Sequence, residues 1–298
     1  MINFLQILNK DKEVIQIIDV ANSIIWHSSY YGVGDFEIYT KLTPEIVENA
    51  VIGNYIRRED ESEIGIIENI TVTFSLESGY MVTVSGRMLK SILDRRVVYN
   101  LSENLNLPTI FPENTTVESA ARQLVYNNAI SCVFDSNRNM TELVLGELKN
   151  LPKIIVDEDG NAAQKQVATE NLLESTDALL KEYEYGSRIT LRSSDGKFVY
   201  EVYEGADRSF DNNVGNMPVV FSTDFDNLNG CEYQMSDTLL KNGAIIGGSG
   251  EDADRFFSKV SEGKSGLELR EIFIDASSIN RTYYEEGNSE EQTYSDEV

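Results

Sequence analysis

The sequence holds one histidine, two cysteines and five prolines, and its 25 basic residues are half as many as its 50 acidic ones. Chemistry at neutral pH commonly draws on an imidazole, a thiolate, a metal or a carboxylate pair, so a lone histidine leaves little to build with. That histidine, His27, lies beside Trp26 in a run that reads as a strand, and a side chain at a sheet surface is expected there rather than a catalytic base. No serine or cysteine occupies a recognisable nucleophile elbow, which argues against hydrolysis. Cys132 and Cys231 stand far apart with no CxxC or Cys/His spacing, and both read as buried free thiols rather than a disulfide framework or zinc site. The formal net charge of −25 repels nucleic acid by the same Coulombic force that basic proteins use to hold it, so specific DNA binding is disfavoured. No apolar run approaches the roughly 18 residues that a membrane span needs. The opening residues, Met1 to Leu8, lack the basic start and small-residue cleavage site of a secretory signal.

What is present is globular in texture. With 41% hydrophobic and 25% charged residues over 298 positions, the chain is long enough for two or three compact domains. Residues 1–100 read as a β-rich domain. A hairpin is expected around Asn9-Lys10-Asp11-Lys12, strands over Ser23 to Tyr31 and Asp35 to Tyr39, and a short helix opened by Thr43-Pro44-Glu45. Further strands are expected at 54–58, 64–76 and 80–85, the last two joined by Ser78-Gly79. Residues 101–215 read as a mixed α+β domain. Leu107-Pro108 and Phe111-Pro112 mark a loop, Thr115-Thr116 opens a helix running toward Asn128, and a second helix is expected near 170–184, ended by Gly186. Strands at 187–192 and 197–203 flank the turn signal Ser193-Ser194-Asp195-Gly196. Residues 216–298 read as a third, β-rich segment, with strands at 218–222, 231–236, 240–247 and 269–275. Its acidic ending, residues 285–298, holds too few apolar side chains to offset the entropy of ordering it. The fold class is α+β, mainly β.

Three stretches imitate ligand loops. Asp157-Glu158-Asp159-Gly160-Asn161 brings its glycine too early for an EF-hand and lacks the closing glutamate, so a solvated turn is expected. Gly247-Gly248-Ser249-Gly250 follows a strand but is followed by acids and no Gly-Lys-Ser/Thr. Gly32-Val33-Gly34 lacks the third glycine of a dinucleotide loop and reads as a turn between strands. The segment "VTVSGRMLKSILDRRVV", residues 82–98, reads as a strand that turns through Ser85-Gly86 into a short amphipathic helix ending in Asp94-Arg95-Arg96. A phosphate cradle uses a helix N-terminus, whereas these arginines sit at the C-terminal end, where they complement the dipole and pair with carboxylates. A structural or interfacial corner is expected.

A series of fragments, in order, resembles the siphophage tail baseplate hub proteins. It runs from Ser23-Ile24-Ile25-Trp26 and Tyr30-Tyr31-Gly32-Val33-Gly34-Asp35-Phe36 through Val84-Ser85-Gly86-Arg87 and Ile92-Leu93-Asp94-Arg95-Arg96. It continues through Phe225-Asp226-Asn227-Leu228 to Arg270-Glu271-Ile272-Phe273-Ile274-Asp275, and so covers nearly the whole chain. The resemblance implies a virion structural protein similar in fold to the hub of contractile-tail baseplates: two β-barrel-like, tail-tube-type domains with an α+β domain between them. It implies a homotrimer that joins the six-fold tail tube to the three-fold tail tip and lets DNA pass, with no enzyme activity and no cofactor. Implied partners are a distal tail or tail tube protein, a tape measure protein, and a tail fibre or receptor-binding protein. The implied location is the virion tail, assembled in the host cytoplasm. Structural or interface candidates are Trp26, Tyr31, Gly34, Asp35, Gly86, Arg87, Asp94, Arg95, Arg96, Asp226 and Arg270. Members of the group continue past the point matching Val298, which leaves the completeness of the last domain open. Some of the excess acid is expected to line a channel, where it would repel DNA phosphates.

Two other classes compete. A carbohydrate-binding or host-adhesion module would use exposed aromatic residues such as Trp26, Tyr30 and Tyr31 on one face, but strand alternation would put Tyr30 and Tyr31 on opposite faces. A tail-tip cell-wall hydrolase would need catalytic equipment that is not visible in the sequence.

Overall fold

The computed structural model describes residues 4–59, 61–98, 109–133, 135–167, 170–228, 230–250 and 255–277. The chain divides into two compact units, Met1–Pro218 and Val219–Val298.

In the first unit, β1 (Leu5–Leu8) and β2 (Val14–Ile18) form the expected hairpin. The Asn9 side chain accepts the backbone N–H groups of Asp11 and Glu13, and Lys12 turns the chain with a φ of 67°. β3 (Ser23–His27) and β4 (Asp35–Lys41) follow, then the short helix α1 (Pro44–Asn49), whose Thr43 cap accepts the N–H of Ile46 at 3.3 Å. Next come β5 (Tyr55–Arg58), β6 (Ile64–Ile66), β7 (Asn69–Ser75) and β8 (Gly79–Arg87). They build two four-stranded antiparallel sheets, in the orders β2-β1-β5-β6 and β3-β4-β8-β7. Period-two alternation places Phe36, Ile38 and Thr40 of β4 and Val82 and Val84 of β8 inward. There they meet Leu5, Ile7 and Ile56 of the other sheet, while Ile46 and Ala50 from α1 and its cap close one end.

Gly86 lies inside β8, paired with Phe36, and not at a corner. A Cβ on it would fall 1.8 Å from the carbonyl oxygen of Ile66, so the glycine serves the close approach of the two sheets. The chain leaves the strand only after Arg87 and enters a 3-10 helix, Leu89–Arg95.

The rest of this unit is mixed. β9 (Thr109–Phe111), α2 (Val117–Val125), β10 (Leu143–Leu145), β11 (Lys165–Val167), α3 (Leu172–Glu182), β12 (Tyr185–Arg192) and β13 (Lys197–Glu204) follow in order. β9 pairs with β11, and β10-β13-β12 form a sheet in which β10 runs parallel to β13. α2 presents Val117, Ala120, Ala121, Leu124 and Val125 to a core that also takes in Leu172, Leu180, Tyr185 and Tyr200. After Val125 the helix widens into a π turn, Tyr126–Ile130. Ile64 and Ile66 of β6 belong to this second core, so the β-rich and mixed regions share packed side chains. Glu184, at φ 59°, ends α3, and the expected terminator Gly186 sits two residues on, already in β12.

The second unit carries β14 (Gly243–Gly247), β15 (Phe257–Ser261) and β16 (Glu271–Asp275), ordered β15-β14-β16, with β14 and β16 parallel. The expected strands at 218–222 and 231–236 do not form. Around Val220 the backbone bonds locally, since Asn227 donates to the Val220 carbonyl and accepts the Ser222 N–H, and residues 231–236 are exposed with no neighbouring strand. The expected loop at 157–161 is a turn closed by Asp157 and Gly160. The fold is mostly β, in several sheets, none of which closes into a barrel among the described residues. The acidic ending and Leu107-Pro108 lie outside those residues.

Candidate functional site

Strand β8 delivers the first cluster. Arg87 at its end points a planar fork at Glu68, just before β7. Nε donates to Oε2 at 2.9 Å and Nη2 to Oε1 at 3.0 Å, while Nη1 donates to Asp94 Oδ2 at 3.0 Å. The hydrogen bonds from Arg87 hold the Glu68 carboxyl below the usual carboxylate range, and the same bonds push the guanidinium further up. Asp94 is tied in turn to Asn171, whose amide donates to the Asp94 carbonyl and carboxylate at 3.0 Å each. Asn171 also caps α3 by accepting the N–H groups of Leu173 and Glu174. One chain of contacts thus links the β-rich sheets, the 3-10 helix and α3.

Arg95 and Arg96 do not join that fork. Arg95 is exposed, and Arg96 donates from Nε to the Arg138 carbonyl at 3.0 Å. Trp26 packs its ring 5.8 Å from Phe36 on the edge strand β3. Gly34 leaves room for the His27 carbonyl, which a Cβ would approach to 2.0 Å. Asp35 lies 3.7 Å from His27 Nδ1, both side chains exposed. In the second unit Asp226 takes the left-handed conformation after a 3-10 turn, and Arg270 pairs with Asp237 at 2.5 Å. Cys132 is buried as expected, but Cys231 is exposed, in a segment where the expected strand 231–236 does not form.

Tyr30 and Tyr31 are not on opposite faces of a strand. β3 ends at His27, and the two rings meet edge to face at 4.7 Å. Tyr30 reaches the far hairpin: its hydroxyl donates to the Glu184 carbonyl at 2.9 Å and accepts the Gly205 N–H at 2.7 Å.

Residues that sequence reading missed complete the picture. Glu118 is buried at the start of α2 and accepts the N–H groups of Lys149 and Leu151 at 2.7 and 2.9 Å. Lys90 is buried in the 3-10 helix against Asp177 and Ser187. The signal for Lys90 was present in "MLKSILD", residues 88–94, where the lysine adjoins apolar positions in a turn that must be buried. Among the described residues, no group of three or more His, Cys, Asp or Glu side chains could hold a metal ion, and no helix is long and apolar enough to cross a membrane. These arrangements chiefly hold elements together.

Residues 4–297 match the family model described as Siphovirus ReqiPepy6 Gp37-like protein. No curated protein matches the chain. Among solved structures, the chain is similar to the tail protein from Neisseria meningitidis at 13% identity, covering 92% of this chain and 71% of that one, with a TM-score of 0.44. It is similar to an E. coli component of the type VI secretion system, described as structurally similar to bacteriophage tail proteins, at 14% identity over 61% and 45% of the two chains, TM-score 0.35. A Francisella PdpA-VgrG complex matches at 11% identity over 97% and 45%, TM-score 0.40. The chain spans less than half the length of the last two.

Proposed function

The chain belongs to the Siphovirus ReqiPepy6 Gp37-like family, where the sequence resemblance to siphophage tail proteins pointed, and from that premise we propose that it is a structural hub of the tail baseplate. In this reading three copies form a ring that continues the tail tube through tube-type β-domains, joins it to the tip, and leaves a passage for DNA. Tube, tape-measure and fibre proteins are its partners.

The observation that carries the reading is the pair of edges on the sheet β3-β4-β8-β7. Neither β3 (Ser23-Ile24-Ile25-Trp26-His27) nor β7 (Asn69-Ile70-Thr71-Val72-Thr73-Phe74-Ser75) contains an acidic or lysine residue, in a chain with 25% charged residues. Soluble proteins usually protect such edges with charge, proline or bulges. Ile24, Ile25, Val72, Phe74 and Leu76 are exposed there. In four antiparallel strands the two edges run in opposite directions, so a head-to-tail neighbour would extend the ladder antiparallel, and a fixed rotation per copy would close it into a ring.

The test is the mass and symmetry of the purified protein, by light scattering and then electron-microscope class averages. Rings of three with a central hole are expected. A monomer that also fails to join rings when mixed with its tube protein would overturn the hub reading.

A further inference from the structure

Lys90 is only 2% exposed, yet it carries an amine into the core shared by the 3-10 helix, α3 and β12. Its Nζ lies 2.9 Å from Asp177 Oδ1 on α3 and 3.4 Å from Ser187 Oγ on β12, and that hydroxyl reaches the same Asp177 oxygen at 3.5 Å. Leu89, Leu93, Leu172, Leu173, Leu180 and Ile189 belong to the surrounding core. The Tyr200 hydroxyl, also buried, lies beside Ser187, and burial pushes its pKa up. Burial pushes the Asp177 carboxyl up despite its cation.

Removing two charges from water costs much of what their attraction returns, so a plain ion pair is a poor use of such a position. An amine and a carboxyl held in contact out of water, with a hydroxyl within reach of both, have the components for condensation. We propose that Lys90 and Asp177 join in an intramolecular isopeptide bond, with the Ser187 hydroxyl relaying the proton.

The atoms balance without any oxidant or co-reactant. A proton passes from Nζ to the Asp177 carboxylate, giving a neutral amine and a neutral acid, the pair that a low-dielectric core favours. The nitrogen lone pair attacks Cγ and forms the new C–N bond. The Ser187 hydroxyl accepts the second proton from nitrogen as it hands its own to the departing hydroxyl, the C–O bond breaks, and one water leaves. The product is an amide that removes both charges from the core. The Ser187 hydroxyl lies at the site to bond it. It closes a loop between positions 87 residues apart and fastens the 3-10 helix covalently to α3.

The experiment is mass spectrometry of the full folded chain. The intact mass should be lower than the sequence mass by one water, and a digest should yield a branched peptide joining Lys90 to Asp177. Lys90→Arg keeps a cation but cannot condense, and should restore the full mass. Ser187→Ala, checked by circular dichroism for an unchanged fold, should leave the bond unformed or reduce its yield at least tenfold. An unmodified intact mass after prolonged incubation overturns the proposal. So does a dehydration that maps to Asp159-Gly160 or Asp195-Gly196, where a succinimide would account for it. A Ser187→Ala chain that cross-links in full removes Ser187 from the step.

Discussion

The hydroxyl of Tyr30 accepts the backbone N–H of Gly205 at 2.7 Å across 175 residues of sequence. The same oxygen donates to Glu184 at 2.9 Å, so one phenol bridges the chain entering β12 and the chain leaving β13. Gly186 makes the approach possible, since a Cβ there would come within 2.7 Å of the Tyr30 ring. Tyr30→Phe should therefore cost about 1 kcal/mol by leaving the Gly205 N–H without its acceptor. Equilibrium urea unfolding checks this, and unchanged stability would mean that solvent already satisfies the hairpin end.

Gly86→Ala should be far more damaging than its chemistry suggests. The added methyl meets the Ile66 backbone carbonyl, which cannot move without separating the two sheets, and a loss of about 3 kcal/mol or more is expected. Gly230→Ala, with nothing within 4 Å, is the control and should be neutral. Equal melting temperatures for the two variants would refute the close approach of β8 to Ile66.

The carboxylates give stability two opposite pH trends. Glu68, held below its ordinary value of 4.5 by the Arg87 fork, adds stability that is present above that value and lost as pH falls through its folded pKa. Glu63, raised above 4.5 by burial, adds stability that is present below that value and lost as pH rises through its folded pKa. Arg87→Met should remove part of the acid-side loss, at a cost of about 1 kcal/mol at neutral pH for a half-exposed pair. Glu63→Gln should instead stabilise the protein at neutral pH relative to mildly acid pH. Chemical denaturation as a function of pH separates them, and parallel curves for wild type and both variants would contradict the assignment.

Charging either bare edge should prevent copies from pairing. Val72→Lys on β7 or Ile25→Lys on β3, both at exposed positions, should leave monomer stability within about 0.5 kcal/mol. Each should shift sedimentation from ring to monomer. Rings that persist in both variants would place the contact elsewhere.

Much of the first unit was legible because its signals are local. The Asn9-Lys10-Asp11-Lys12 turn, the alternation in β4 and β8, the Thr43-Pro44 cap and the Asp195-Gly196 turn each specify an element from neighbouring residues. The second unit was less legible. Val219-Val220-Phe221 has strand propensity but no partner, and β15 (Phe257–Ser261) was missed because only its pairing with β14 makes it a strand.

Composition and local pattern determined on their own that this chain is a mainly β, acidic protein with a single histidine, and the ordered fragments led to its family. Only the tertiary structure decided what the singled-out residues do. It made Gly86 a point of contact between sheets, turned Arg87 toward Glu68 and Asp94, joined Tyr30 to Gly205, and buried Lys90 against Asp177. The physical reason is sequence separation. Partners dozens of residues apart leave no periodicity or spacing to read, and packing alone brings them within bonding distance.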